Sequence, residues 1–281
     1  MTIACIITLT SSLCLYFVAS ILLHVSFVIR KSRWRENGLH LIIAGLLIQI
    51  FGMFLHAILS SSSPFSNMLV IVSWLVIIII TIALLVERFT KLRYLVFMAT
   101  PLAFVALLYP LLMPVEFKES EIILLRFPWL GAHVVLTLIG FVGQALAFCT
   151  ATTYILQKNK LKQGSLNQYL PALETASKAT FYFACAGFFC FTLGLSMGVI
   201  WYFDAPGEFL HGQDLKIWMA IPTWMLFGLY LYRRGIRRDH SSNLKWLIIF
   251  GFLTAIVNLV GIRHDYDEQY FPIISENQTL K

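Results

Sequence analysis

Charge is scarce in this 281-residue chain: only 12% of its residues are Asp, Glu, Lys or Arg, roughly half the share of an ordinary soluble domain. With 59% hydrophobic residues and a mean hydropathy of +0.79, a water-soluble globular enzyme is excluded. Cysteine is sparse too. The five (Cys5, Cys14, Cys149, Cys185, Cys190) fall in apolar stretches without C-x-x-C spacing, whereas thiol–disulfide chemistry and tetrahedral zinc need paired, accessible thiols. The chain lacks a G-x-G-x-x-G, a Walker loop and an H-E-x-x-H, so nucleotide-driven transport and zinc hydrolysis have no residues to work with.

What is present is apolar sequence in long runs. Eight stretches reach the ~20 residues that a bilayer crossing needs: about 4–29, 38–59, 67–86, 94–113, 129–156, 180–202, 216–232 and 244–262. Continuous runs exclude the alternating pattern of a membrane barrel. The expected fold is therefore all-α, a polytopic bundle of about eight transmembrane helices forming one integral membrane domain over 1–281. The first run lacks a basic leader and is followed by Arg30-Lys31-Ser32-Arg33-Trp34-Arg35, which reads as a retained span rather than a signal peptide.

The loops after spans 1, 3, 5 and 7 hold sixteen of the 21 Lys and Arg residues and four of the 14 acids, leaving +12 on that side and −5 on the other. Basic loops stay in the cytoplasm, so both termini are expected outside. The basic balance records topology. It is not the clustered basic and aromatic surface of a nucleic-acid-binding protein, and no nucleic-acid partner is expected.

Depth sorts the seven histidines. His56, His133, His211 and His264 gather at the outer surface, while His24 and His40 lie near the inner ends of spans 1 and 2, and His240 in a cytoplasmic loop. A histidine at an apolar helix end is costly without a partner, and neutral imidazole is a common axial ligand of haem iron. An interfacial histidine bonded to backbone or water is the plain alternative. Residues 198–218 between spans 6 and 7 hold five aromatics, three acids and His211. That composition suits either a platform for a flat amphipathic ligand or an ordinary aromatic belt.

Several ordered motifs resemble one membrane family. They are Phe127-Pro128-Trp129-Leu130-Gly131-Ala132-His133-Val134, Leu170-Pro171-Ala172-Leu173-Glu174, Thr192-Leu193-Gly194-Leu195-Ser196-Met197-Gly198, Asp214-Leu215-Lys216 followed by Trp218 through Trp224 to Tyr230, and Asn258-Leu259-Val260-Gly261-Ile262-Arg263-His264. Together they resemble the cytochrome c assembly proteins of the CcsA/CcmC type, including the HemX-like branch, most strongly over 127–266. The resemblance implies a haem-handling protein of a bacterial inner membrane, with His133 and His264 as axial ligands of a b-type haem at the outer face. In a haem-binding reading Trp201, Tyr202 and Phe209 contact the macrocycle, Lys216 or Arg263 pairs with propionates, and Asp214 is a further cofactor-binding candidate; His56 resembles a histidine of the HemX-like branch. The tryptophan-rich loop of the family departs here: Pro206-Gly207 stands at its first Trp-Gly, Leu210 at its second Trp, and Gln213 opens the segment that ends Asp214-Leu215-Lys216. That departure points to the HemX-like branch.

The leading expectation is thus a non-catalytic haem-binding protein, partnered by the bilayer and by cytochrome c assembly or haem-biosynthesis proteins. A second is a regulatory membrane protein without stable haem, acting through a cytoplasmic loop at 157–179. A transporter is disfavoured by thin midplane polarity (Gln49, Gln144) and no internal repeat. A transmembrane redox enzyme would need a second haem near His24 and His40.

Overall fold

A computed structural model describes residues 3–29, 31–59, 68–90, 92, 94–112, 128–164, 170–204 and 215–261. Among these the regular structure is all helical, in eight helices each long and apolar enough to cross a membrane. They are α1 (Ile3–Ile29), α2 (Ser32–Leu59), α3 (Met68–Phe89), α4 (Leu95–Leu112), α5 (Pro128–Lys162), α6 (Leu173–Asp204), α7 (Leu215–Leu231) and α8 (Leu244–Ile256). Both α7 and α8 end in a π-helical turn, Tyr232–Ile236 and Val257–Gly261.

Three helices outrun their apolar cores. The basic stretch from Ser32 belongs to α2, and the expected loop at 157–179 is mostly the ends of α5 and α6. Hydropathy misses these turns because Lys, Gln, Glu and Ala are good helix formers. α5 stops where Gly164 takes φ +69° and its N–H closes on the Leu161 carbonyl at 3.0 Å, the left-handed ending that glycine favours. Pro171 precedes the start of α6.

Contacts divide the chain into two compact units, residues 1–117 with 153–177, and 118–152 with 178–281. In the first, α2 presents Gly38, Gly45 and Gly52, seven residues apart, to Leu23, Tyr16 and Thr8 of α1. Helices without a hydrophobic drive to associate pack closely through such small residues. α3 is apolar on every side and buried along most of its length, as an interior helix should be. A buried polar chain ties it to its neighbours near mid-length: the Tyr16 hydroxyl donates to Gln49 Oε1 (2.8 Å), and Gln49 Nε2 donates to the Ser73 carbonyl (3.1 Å). At the basic end Arg35 pairs with Glu87, whose second oxygen accepts the Val96 N–H in the first turn of α4. His24 stacks on Phe97 with ring centres 4.2 Å apart, and its Nδ1 donates to the Ser20 carbonyl at 2.7 Å.

The second unit is built on α5 and α6, which meet backbone to backbone. A methyl group on Gly143 would lie 2.5 Å from the Gly187 Cα, and one on Gly140 2.7 Å from the Phe191 nitrogen. α7 and α8 pack beside each other, with Gly251 against Phe227 and a hydroxyl–hydroxyl bond of 2.9 Å between Thr223 and Thr254. Phe227, Tyr230, Leu244 and Ile248 join Ala147, Ala151 and Ala184 in its core.

Candidate functional site

His133 lies in the second turn of α5, which opens on Pro128, a residue whose missing N–H and fixed φ suit a helix start. The glycine seam continues to this level. Gly194 backs onto Thr137, and Gly198, one turn further on, backs onto the imidazole itself. A Cβ on Gly198 would stand 2.7 Å from His133 Nδ1 and 3.0 Å from Cε1, so only glycine leaves room for the ring. Within this socket His133 Nδ1 is 2.7 Å from the Gly194 carbonyl oxygen. A carbonyl can only accept, so Nδ1 carries the proton and Nε2 is the basic nitrogen of the ring. This tautomer is the one that ligates metal through Nε2, with the backbone bond orienting the ring.

Among the described residues no three His, Cys, Asp or Glu side chains gather to hold a metal ion; His133 offers a single basic nitrogen at this level of α5. Trp201, three residues past Gly198 on α6, is buried at 3% exposure. Lys216 is half-buried in the first turn of α7. Trp224 extends the aromatic surface of this unit: its Nε1 donates to the Thr192 hydroxyl at 3.0 Å, and its ring lies 5.5 Å from that of Phe188. His56 is buried in the last turn of α2 and belongs to the first unit. His264, Phe209 and Asp214 lie outside the described residues, as does the side chain of Tyr202.

The run Gly194-Leu195-Ser196-Met197-Gly198 has the G-x-S-x-G spacing of a hydrolase nucleophile, which needs a sharp strand-to-helix turn. Here it sits inside continuous α6, with Ser196 Oγ bonded to the Thr192 carbonyl at 2.9 Å. Its glycines serve packing. They are the site residues that histidine-centred reasoning passes over, although the small-x-x-x-small spacing was a visible signal of close helix approach.

Comparison with known proteins brings in the family. The family model described as cytochrome C assembly protein matches residues 62–264. A cytochrome c biogenesis protein CcsA of Cyanidium caldarium is 26% identical over 180 residues, covering 54% of this chain and 59% of that protein. The CcsA of Mesostigma viride is 22% identical over 265 residues, covering 83% of this chain and 86% of the relative. The CcsA of Prochlorococcus marinus (strain MIT 9303) is 27% identical over 112 residues, with 40% and 34% covered.

Proposed function

Because this chain belongs to the cytochrome c assembly protein family, we propose that it handles haem for cytochrome c assembly at the membrane face that carries His133. The observation behind the proposal is the glycine socket. It holds the imidazole with Nδ1 as donor to the Gly194 carbonyl, so that Nε2 serves as the iron ligand. His264 is the second ligand in this reading. Bound haem supplies iron that can cycle between ferrous and ferric states.

The chain's own residues bind and orient, without catalysing a reaction. α5 and α6 fix the ring, Trp201 with Tyr202 and Phe209 furnishes apolar surface for the macrocycle, and Asp214 is a further cofactor-binding candidate. Lys216 offers a cation to a propionate, a charge-assisted bond. The proposal sets this face on the outer side of a bacterial cytoplasmic membrane, because the basic loops belong inside.

An optical spectrum of the detergent-purified protein, oxidised and reduced, tests the reading. A six-coordinate Soret and α-band pattern that weakens in both His133→Ala and His264→Ala supports it. A spectrum untouched by either substitution moves the ligands elsewhere. Pro206, Leu210 and Gln213, standing where the family carries tryptophans, favour a second reading: a HemX-like regulator that keeps no stable haem. A folded protein that takes up no haem even after hemin is added supports that regulator.

A further inference from the structure

The basic end of the second unit holds a set of hydrogen-bond donors for which haem binding at the opposite end has no use. Tyr230 is fully buried near the end of α7, and its hydroxyl has no hydrogen-bond partner among the described residues. Four residues on, inside the π-helical turn Tyr232–Ile236, Arg234 has a buried guanidinium nitrogen that lacks a partner as well. Lys245, in the first turn of α8, is 2% exposed, and its Nζ is 5.4 Å from the centre of the Tyr230 ring. Arg234 follows Tyr230 by four residues on the same helical segment and Lys245 approaches it from α8, so two basic residues flank Tyr230. Arg233, by contrast, is exposed and pairs with Asp239 at 2.6 Å.

A buried donor with no acceptor is costly, and Tyr230 and Arg234 each carry one. An anion with several oxygens answers both at once. Its expected source follows from depth. Arg234 stands two residues from the end of one membrane-crossing segment, Leu215–Ile236, and Lys245 one residue into another, Leu244–Gly261. That is the level of the lipid headgroups, where basic pockets between helices take anionic phosphate groups. Arginine in particular matches phosphate with its forked donors. We propose that Tyr230, Arg234 and Lys245 bind the phosphate group of an anionic phospholipid.

The test uses the full chain in nanodiscs of phosphatidylcholine, alone or mixed with phosphatidylglycerol, followed by thermal unfolding and by native mass spectrometry of retained lipid. Phosphatidylglycerol should raise the melting temperature of the wild type, while inorganic phosphate added to phosphatidylcholine discs should not. Tyr230→Phe should lose most of that rise yet melt no lower than wild type in phosphatidylcholine alone, because its hydroxyl has no partner there. Arg234→Gln should retain phosphatidylglycerol on the order of tenfold more weakly, with Arg234→Lys recovering part. An equal rise in wild type, Tyr230→Phe and Arg234→Gln would overturn the site, since a general attraction to the exposed arginines would account for it. No rise in any protein overturns it too, and a rise reproduced by inorganic phosphate overturns the lipid source in favour of the free ion.

Discussion

Gly198→Ala is the substitution that most directly probes the histidine socket. The added Cβ would sit 2.7 Å from His133 Nδ1 and 3.0 Å from Cε1, where ordinary contact begins at 3.4 Å. The ring must then retreat by several tenths of an ångström from a position set by its 2.7 Å bond to the Gly194 carbonyl. Crowding of this kind costs about 1–3 kcal/mol, and losing the orienting bond of a metal ligand lowers affinity ~10–100-fold. Gly228→Ala is the matched control, because its new Cβ would meet Phe188 at 3.4 Å, an ordinary contact. In a helix interior that exchange should be neutral or gain about 0.5–1 kcal/mol. The assay is a hemin titration of the purified full chain followed at the Soret band, with thermal unfolding of the haem-free protein alongside. Gly198→Ala should weaken haem binding while Gly228→Ala leaves it unchanged. If Gly198→Ala binds haem as tightly and with the same spectrum as wild type, while His133→Ala does not, the socket has no part in orienting the ligand.

Three further outcomes follow from the rest of the fold. A double-mutant cycle of Tyr16→Phe with Gln49→Leu should report a coupling of about 0.6–1.7 kcal/mol, the range of hydrogen bonds inside membranes, measured by steric trapping; additive effects would remove the buried chain as a fastening of α1 to α2. Glu87→Ala should destabilise the first unit by about 1–3 kcal/mol, because it strands Arg35 and uncaps Val96, and a melt unchanged from wild type would contradict that. The Ser241 backbone N–H, then its hydroxyl, then Arg233 hold the half-buried Asp239 carboxyl below its ordinary pKa. A depressed folded pKa contributes stability that is present at neutral pH and lost as pH falls through the carboxylate range, near 4 and below. The melting difference between wild type and Asp239→Asn should therefore close on acidification, and a difference that grows would refute the assignment.

The eight crossings were legible because a bilayer imposes one crude demand, length of apolar sequence, and the chain meets it eight times. Helix ends were less so. Ser32–Asn37, Gln157–Lys162 and Leu173–Ala179 are helical although polar, since propensity and a cap such as Gly164 set an end and hydropathy does not register either. At the site, His133 could be chosen by depth and residue type. Its tautomer could not, because that rests on one carbonyl 61 residues away in sequence. Gly194 and Gly198 advertise a close approach, yet nothing in their spacing says that an imidazole fills it. Tyr230 and Lys245 were visible singly, one closing a family motif and the other among the basic residues after span 7, but their shared burial appears only where α7 packs on α8.

The heptad of glycines on α2 has a bearing on synthesis. Gly38, Gly45 and Gly52 meet a partner helix that leaves the ribosome immediately before them, so this hairpin depends only on contacts local in sequence, the kind that form fastest. It can be complete in the membrane while α3 is still being made. α3, apolar on all sides, then enters beside a finished surface that already offers Gln49 to its Ser73 carbonyl. Bulky residues in that seam should accordingly show themselves first as lower insertion yield and faster clearance of the newly made chain, before any change in what the mature protein binds.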